Sequence, residues 1–400
     1  MNILVINCGS SSQGFTVFHQ NEGGEPDIPA YGKAKNVATL TKAAAKLDWT
    51  VNNISHSIEA DFSTHRLAAK KIIEVLQAEK IQIDAIGHRF VNGGKYFKKS
   101  AFLDGETLEE LRECLPLAPI HNPNSYSVIE VCAEKLPGVP QYVVFDTAFH
   151  SQMTQEHTAY AIPQSDAQKY GWHKIGFHGL SYQYVSQRAA ELMNKPLDKV
   201  KLIMCHLGTG GSSVCAFQNG HSFDTSMGYS PVTGLVMSTR SGDLDPEIVI
   251  DMIRKGMTPD QASDYLNKKS GLVGLSGFSS NLGEIIHAAT QGNKDCELAF
   301  QVYVNRLRGY IGNFLYQMNG ADALVFTDDA GVKFAEMREA VCKNADFLGI
   351  NLDAGANKTY DMKSEALISD PDSHVQIWVI PTNEELTIYN EIAEIRGVRS

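Results

Sequence analysis

The stretch Asn2-Ile-Leu-Val-Ile-Asn7, Cys8-Gly-Ser-Ser-Ser12, Phe15-Thr-Val-Phe18 decides the fold. A short apolar run is followed by small hydrogen-bonding residues, and a second apolar run resumes. That is a hairpin of two strands with an unusually polar tip. The pattern returns at Lys201: KLIMC to Cys205 is a strand, His206-Leu-Gly-Thr-Gly-Gly-Ser-Ser213 is a loop, and Val214-Cys-Ala-Phe217 is a strand. The side chains barely match, yet strand, Gly/Ser loop and strand recur. Two lobes built on one plan are expected, each with such a hairpin.

Working outward, Thr64–Lys80 places Ala68, Ile72, Val75 and Leu76 on one helical face. Phe300, Val304, Leu307, Ile311, Leu315 and Met318 recur at helical spacing, so Cys296–Met318 is expected to be a long, largely buried helix. Gln141–Phe145, Ala323–Phe326 and Val375–Ile380 read as further buried strands. Strands alternating with helices indicate an α/β protein, and the hairpins make its sheets mixed. Asn21–Pro29 and Asp353–Asp372 read as surface insertions, and the lobe boundary is expected near His150–Glu156.

The chain has 400 residues, enough for two domains or large lobes. Its 43% hydrophobic and 20% charged residues are those of a folded protein rather than a disordered one. The net charge of −11 argues against nucleic acid or an anionic membrane as partner. No run approaches the roughly 20 apolar residues of a membrane helix. Met1–Gln20 lacks the basic start and apolar run of a signal peptide. Seven scattered Cys without a Cys-x-x-Cys pair fit reduced cytoplasmic thiols.

Gly/Ser loops leaving a strand are candidate phosphate cradles, because glycine lets backbone amides approach an anion. Each could equally be a tight turn without a ligand. Two in matching places favour a phosphate site. The chain has neither a P-loop Gly-x-x-x-x-Gly-Lys-[Ser/Thr] nor a Gly-x-Gly-x-x-Gly opening a helix. Asp146 ends the run Val144-Phe145 and could hold Mg²⁺ or orient a nucleophile, or simply cap a turn. Asp245-Pro246-Glu247 reads as a structural helix start. Arg240 lies among Ser, Thr and Gly with no helical face to decorate. Arg89 in Gly87-His-Arg-Phe-Val-Asn-Gly-Gly94 ends a strand. His121 precedes a helix start, with Asn122 as its cap, and His178 sits between Phe177 and Gly179. Such residues in Gly- or Pro-rich connections are candidates for chemistry.

Together these motifs resemble the acetate kinase family, of the superfamily that contains sugar kinases, actin and heat-shock chaperone ATPases. The matching residues are Asn7-x-Gly-Ser-Ser-Ser12, Gly87-His-Arg89, Pro119-Ile-His121-Asn-Pro, Phe145-Asp-Thr-Ala-Phe-His150, Gly176-Phe-His178-Gly, His206-Leu-Gly-x-Gly210, Asp224-Thr-Ser-Met-Gly228, Thr239-Arg-Ser-Gly-Asp243 and Pro381-Thr-Asn-Glu-Glu385. They run in family order over nearly the whole chain. The resemblance implies a duplicated ribonuclease-H-like, actin/hexokinase-type fold in a homodimer. Residues 1–150 plus about 386–400 would form the N-terminal lobe. Residues 151–385 would form the C-terminal lobe with the donor site, and catalysis would occur in the cleft between lobes.

The implied reaction is Mg²⁺-dependent phosphoryl transfer between acetate and a phosphoryl donor. By the resemblance, Arg89 and Arg240 flank the carboxylate and the migrating group, and His178 and His121 add hydrogen bonds. Asp146, Asn7 and Glu384 serve the metal, with Glu385 the neighbouring possibility. Ser10, Ser11 and Ser12 bind phosphate or magnesium waters, and His206, Gly208, Thr209 and Gly210 line the donor. Val91, Ile120, Phe177 and Pro231 form an acyl pocket sized for acetate.

The chain departs from the family at three places. Gly14 stands where a Lys is usual, and Thr209 where an Asn is usual. ATP-using members carry Gly-Ile-Gly-Glu-Asn beside the adenosine, whereas this chain has Asp328-Asp329-Ala-Gly-Val-Lys333 after Phe326-Thr327. Asp329 would fill space beside a nucleoside and repel a polyphosphate. With His206–Ser213 and Leu115–His121, this resembles the diphosphate-type acetate kinases. Diphosphate/orthophosphate is therefore the expected donor pair, and ATP/ADP is the alternative. A chaperone-like nucleotide-responsive binding protein of the same fold would not need Arg89, Arg240, Asp146 and His178 together.

Overall fold

The structure is a computed structural model that describes residues 1–9, 11–21, 24–39 and 44–397. The chain forms two compact units, residues 1–149 with 383–400 and residues 150–382.

The first unit contains an eight-stranded sheet. Its strands are β1 (Asn2–Cys8), β2 (Ser12–His19), β3 (Asp27–Lys35), β4 (Lys46–Val51), β5 (Ile54–Glu59), β6 (Ala85–Phe90), β7 (Ala101–Phe102) and β8 (Gln141–Phe145). They lie in the order β5-β4-β3-β2-β1-β6-β8-β7. β1 and β2 are the antiparallel hairpin, whereas β1–β6 and β6–β8 are parallel. Leu4 and Ile6 pack with Phe15 and Val17 against Ala68, Ile72 and Leu76 of the helix His65–Ala78. Thr64 caps that helix by accepting from the Leu67 amide. The helix Glu384–Ile395 closes the unit on β6. Gly87 is glycine for this reason: a Cβ there would lie 2.1 Å from Ile392 Cδ1.

The second unit contains six strands: β9 (Leu202–Leu207), β10 (Ser212–Gln218), β11 (His221–Thr225), β12 (Ala323–Thr327), β13 (Ala366–Leu367) and β14 (Gln376–Val379). Their order is β11-β10-β9-β12-β14-β13. β9–β10 is antiparallel, and β9–β12 and β12–β14 are parallel. The core order β3-β2-β1-β6-β8 of the first unit thus recurs as β11-β10-β9-β12-β14, with the same senses. The duplication expected from two short Gly/Ser loops extends over five strands in each sheet. This is the two-lobe α/β architecture with mixed sheets. The long helix is Lys294–Gln317, and it buries Val304, Leu307, Ile311 and Leu315 in the second core.

The chain re-enters the first unit at Asn383, three residues before the expected boundary at 386. Asn383 caps the helix Glu384–Ile395 by accepting from the Leu386 amide at 3.0 Å, which fixes both glutamates to that helix. The first crossing between the units falls at Phe149/His150. The stretch expected as a second surface insertion, Asp353–Asp372, contains the helix Ala354–Thr359 and strand β13. No helix among the described residues is long and apolar enough to cross a membrane.

Candidate functional site

In the first unit, chemistry collects at the ends of β1, β6 and β8. Arg89 lies on β6, between β1 and β8, and Asp146 follows β8. The guanidinium grips the Asp146 carboxylate with two bonds, Nε to Oδ1 at 3.0 Å and Nη2 to Oδ2 at 2.7 Å. Nη1 donates to Asn7 Oδ1 at 3.0 Å and stands 3.2 Å from Glu384 Oε2. The Asn7 amide donates to Glu384 Oε2 at 3.0 Å and to Glu385 Oε1 at 3.2 Å. Burial works against the Arg89 charge, but Asp146 and Glu384 outweigh it and raise its pKa. Burial, then Glu384 alongside, pushes the Glu385 carboxyl above its ordinary range.

One guanidinium therefore faces three carboxylates, an excess of negative charge in a half-dry site. Gly14 on β2 contributes no charge of its own there; a Cβ on it would stand 3.3 Å from Glu385 Oε1. The donor set of Asn7, Asp146, Glu384 and Glu385 is all oxygen and suits a hard cation such as Mg²⁺. Among the described residues, no three carboxylate, imidazole or thiol groups converge as a preformed cage. Mg²⁺ commonly binds through one or two carboxylates and keeps its waters, so these residues fit it.

Other expected residues of this unit lie outside those bonds. Val91 is buried and Ile120 is exposed. Ser11 is exposed in the turn, and Ser12 opens β2. Ser10 lies outside the described residues. His121 precedes the helix Asn122–Lys135, but the expected cap by Asn122 does not form. Asn122 is fully buried and its side chain accepts from the Asn92 amide and donates to the Asn92 and Cys114 carbonyls. It fastens the segment after β6 instead, because a buried amide must satisfy its own polar atoms.

In the second unit, the β9–β10 turn is closed by Gly208 N donating to Gly211 O at 3.1 Å. Ser212 Oγ donates to Gly208 O, and Ser238 Oγ to Thr209 O. Gly210 is exposed at the tip. His178 heads the helix Gly179–Leu192 in a left-handed backbone, φ 62°. Its Nδ1 lies 2.8 Å from Ser213 Oγ, which also bonds the Tyr182 hydroxyl. A Cβ at Gly211 would stand 3.3 Å from His178 Nε2 and 3.2 Å from Arg240 Nη1, so both groups flank this turn.

Arg240 is held loosely, by Pro231 O at 3.5 Å and Met237 Sδ at 3.9 Å. Among the described residues no carboxylate is within ion-pair distance of it, and burial lowers its pKa. A largely buried guanidinium without a counter-anion is poised for an anionic ligand. Phe177 is buried, and Pro231 half-buried.

The donor segment departs from expectation. Asp329 is expected to repel a polyphosphate with its carboxylate. It is paired, with Lys333 Nζ at 2.8 Å one helical turn along, and it accepts from Thr209 Oγ1 at 3.4 Å. The carboxylate set hard against the turn is Asp328. Its Oδ2 lies 3.1 Å from His206 Nε2 and 2.3 Å from where a Cβ on Gly208 would be. Ser181 and Tyr182 were not singled out from sequence, and Asp328 and Ser213 entered only as parts of the segments Phe326-Thr-Asp328 and His206–Ser213. The i,i+4 spacing of Asp329 and Lys333 was a legible signal for their pair.

Comparison with known proteins agrees with these motifs. Residues 2–390 match the model of the acetokinase family. Acetate kinase of Thermotoga maritima is 43% identical over 404 residues, 99% of this chain and 98% of that protein. The crystal structure of acetate kinase from Entamoeba histolytica superposes with a TM-score of 0.89 at 44% identity, covering 98% of this chain and 99% of that one. A propionate kinase from Francisella tularensis superposes with a TM-score of 0.88 at 36% identity, covering 98% of each chain.

Proposed function

The chain belongs to the acetokinase family of phosphotransferases with a carboxyl acceptor, and from that premise we propose that it moves a phosphoryl group reversibly between acetate and diphosphate. Acetyl phosphate and orthophosphate are the other pair of reactants. The observation that carries the transfer reaction is Arg240, a guanidinium with no carboxylate partner among the described residues, beside His178 at Gly211. Phosphoryl transfer is chiefly positioning and charge neutralisation. Arg240 and His178 supply donors that strengthen as charge spreads over the phosphoryl oxygens. Arg89 orients the acceptor carboxylate, and the 206–210 and 11–12 turns supply donors to phosphate. Val91, Ile120, Phe177 and Pro231 are assigned to the acyl group, and His121 to a further hydrogen bond. Asn7, Asp146 and Glu384 would hold Mg²⁺, which when bound neutralises phosphate charge.

The diphosphate donor rests on residues 328–333. Asp328 and Asp329 fill the space at the glycine turn where ATP-using members place glycines, Asp328 against His206 and Asp329 on Thr209 and Lys333, which leaves less room for a nucleoside. A second reading, ATP/ADP as the donor pair, is favoured by the unqualified name acetate kinase that the relatives carry. The test offers acetyl phosphate and Mg²⁺ with orthophosphate or with ADP. Diphosphate is the expected product. ATP formed at a comparable rate would overturn the donor, and neither product would overturn the kinase.

The reading includes a cytoplasmic homodimer. All seven cysteines are free and buried, as suits a reducing compartment. The helix Pro246–Arg254 buries no residue and exposes Ile248, Ile250 and Ile253, an apolar surface that a second copy could cover. Sedimentation should give a dimer for the wild type and a monomer for Ile253→Glu; a monomeric wild type would end this part of the proposal.

A further inference from the structure

We propose that Asp328 is a positioning residue for phosphoryl transfer, acting through His206 on His178. The proposal rests on the kinase reading above but not on the identity of the donor.

Thr327 ends β12 in register with His206 on β9, so the next residue leaves the sheet beside that histidine. Asp328 takes a left-handed backbone, φ 61°. An L-residue other than Gly, Asn or Asp rarely accepts that conformation, and it is costly even here. What it achieves is placement: Oδ2 comes 3.1 Å from His206 Nε2. Glycine at 208 leaves the room, because any Cβ there would collide with the carboxylate.

A carboxylate accepts and does not donate, so Nε2 of His206 must carry a proton. The other ring nitrogen, Nδ1, lies 2.9 Å from the buried Ser181 hydroxyl. Both edges of the ring are therefore held, one by each group. The ring so fixed is the plate on which His178 lies, with centroids 4.1 Å apart and planes 28° from parallel. His178 is in turn held at Nδ1 by Ser213, which leaves Nε2 directed to the Gly211 turn beside Arg240. The series from Asp328 through His206 to His178 thus sets where the His178 Nε2 stands. A misplacement of about 1 Å in such a group can cost roughly 100-fold in rate.

Asp328→Ala, Asp328→Asn, His206→Ala and the double alanine variant of the full chain are assayed for acetyl phosphate turnover with the donor that the wild type uses. Asp328→Ala is expected to lower kcat by about tenfold to a hundredfold and leave KM for acetate within about twofold. Asp328→Asn still offers an oxygen acceptor and should recover most of the rate. The losses from Asp328→Ala and His206→Ala should overlap in the double variant rather than multiply. The ¹⁵N spectrum of the imidazoles should show His206 protonated at Nε2 in the wild type and a mixed tautomer in Asp328→Ala. That readout does not need an active or fully stable enzyme, since Asp328→Asn is measured beside it. An unchanged kcat in Asp328→Ala, multiplying losses, or an unchanged His206 spectrum would overturn the proposal. A wild type that forms no product with either donor defeats the kinase reading instead, and the spectrum then judges the Asp328–His206 link alone.

Discussion

Arg89→Ala is expected to lower turnover by about 100- to 1000-fold and to destabilise the protein as well. Both effects follow from the guanidinium's place among Asp146, Asn7 and Glu384. On the proposed function its removal takes donors from the acceptor carboxylate, and it strands the buried carboxylates Asp146 and Glu384 without their cation. Removing one partner of a buried pair costs about 3–5 kcal/mol. The pH dependence has a definite sign. Glu385 already has a raised pKa in the folded state, from burial and from Glu384, while Arg89 pulls it back. A raised carboxyl pKa means that the folded state binds more protons than the unfolded one. Its stabilising effect is full below the unfolded pKa and is lost as pH rises through the folded value. Without Arg89 the shift grows, so the deficit in stability should be largest at neutral pH and shrink toward about pH 4. Urea unfolding across pH, beside activity, checks both. A variant with wild-type turnover would remove Arg89 from the reaction, and a deficit independent of pH would contradict the electrostatic account.

Arg240→Ala should cost about as much in turnover, 100- to 1000-fold, with the opposite structural signature. This guanidinium has only a carbonyl at 3.5 Å and a thioether at 3.9 Å for company. Burial lowers its pKa, so its charge, unpaired among the described residues, is a burden on the fold. The unfolding midpoint of the variant is therefore expected at or above that of the wild type. Diphosphate or orthophosphate should stabilise the wild type, by about 2.7 kcal/mol at 100 times Kd, and stabilise the variant much less. Equal stabilisation of both proteins by the anion would show that Arg240 does not bind it.

Sequence made part of this legible. Alternating apolar runs and Gly/Ser turns announced the duplicated hairpin, because a buried strand and its turn are local patterns. Arg89, Asp146, His178 and Arg240 stood out because charged or imidazole groups sat in glycine-rich connections. What was hidden depends on distance along the chain or on backbone angle. Asn7 meets Glu384 and Glu385 only because the chain returns to the first unit at Asn383. Asp328 and Asp329 look alike in sequence. A left-handed backbone sends one to His206, and helical spacing hands the other to Lys333. Asn122 looked like a cap, yet its neighbours' unsatisfied carbonyls claim its amide.

The return of the chain at Asn383 carries a consequence for synthesis. The ribosome makes the sheet β1–β8 early, but the helix Glu384–Ile395 that lies on it is translated only after the whole second unit. Until then β6 lacks its cover of Ile388 and Ile392, and Asn7 and Arg89 lack Glu384. Domains generally mature in the order in which they emerge. Here the earlier one must wait for the later, so prematurely terminated chains should be inert and dependent on chaperones.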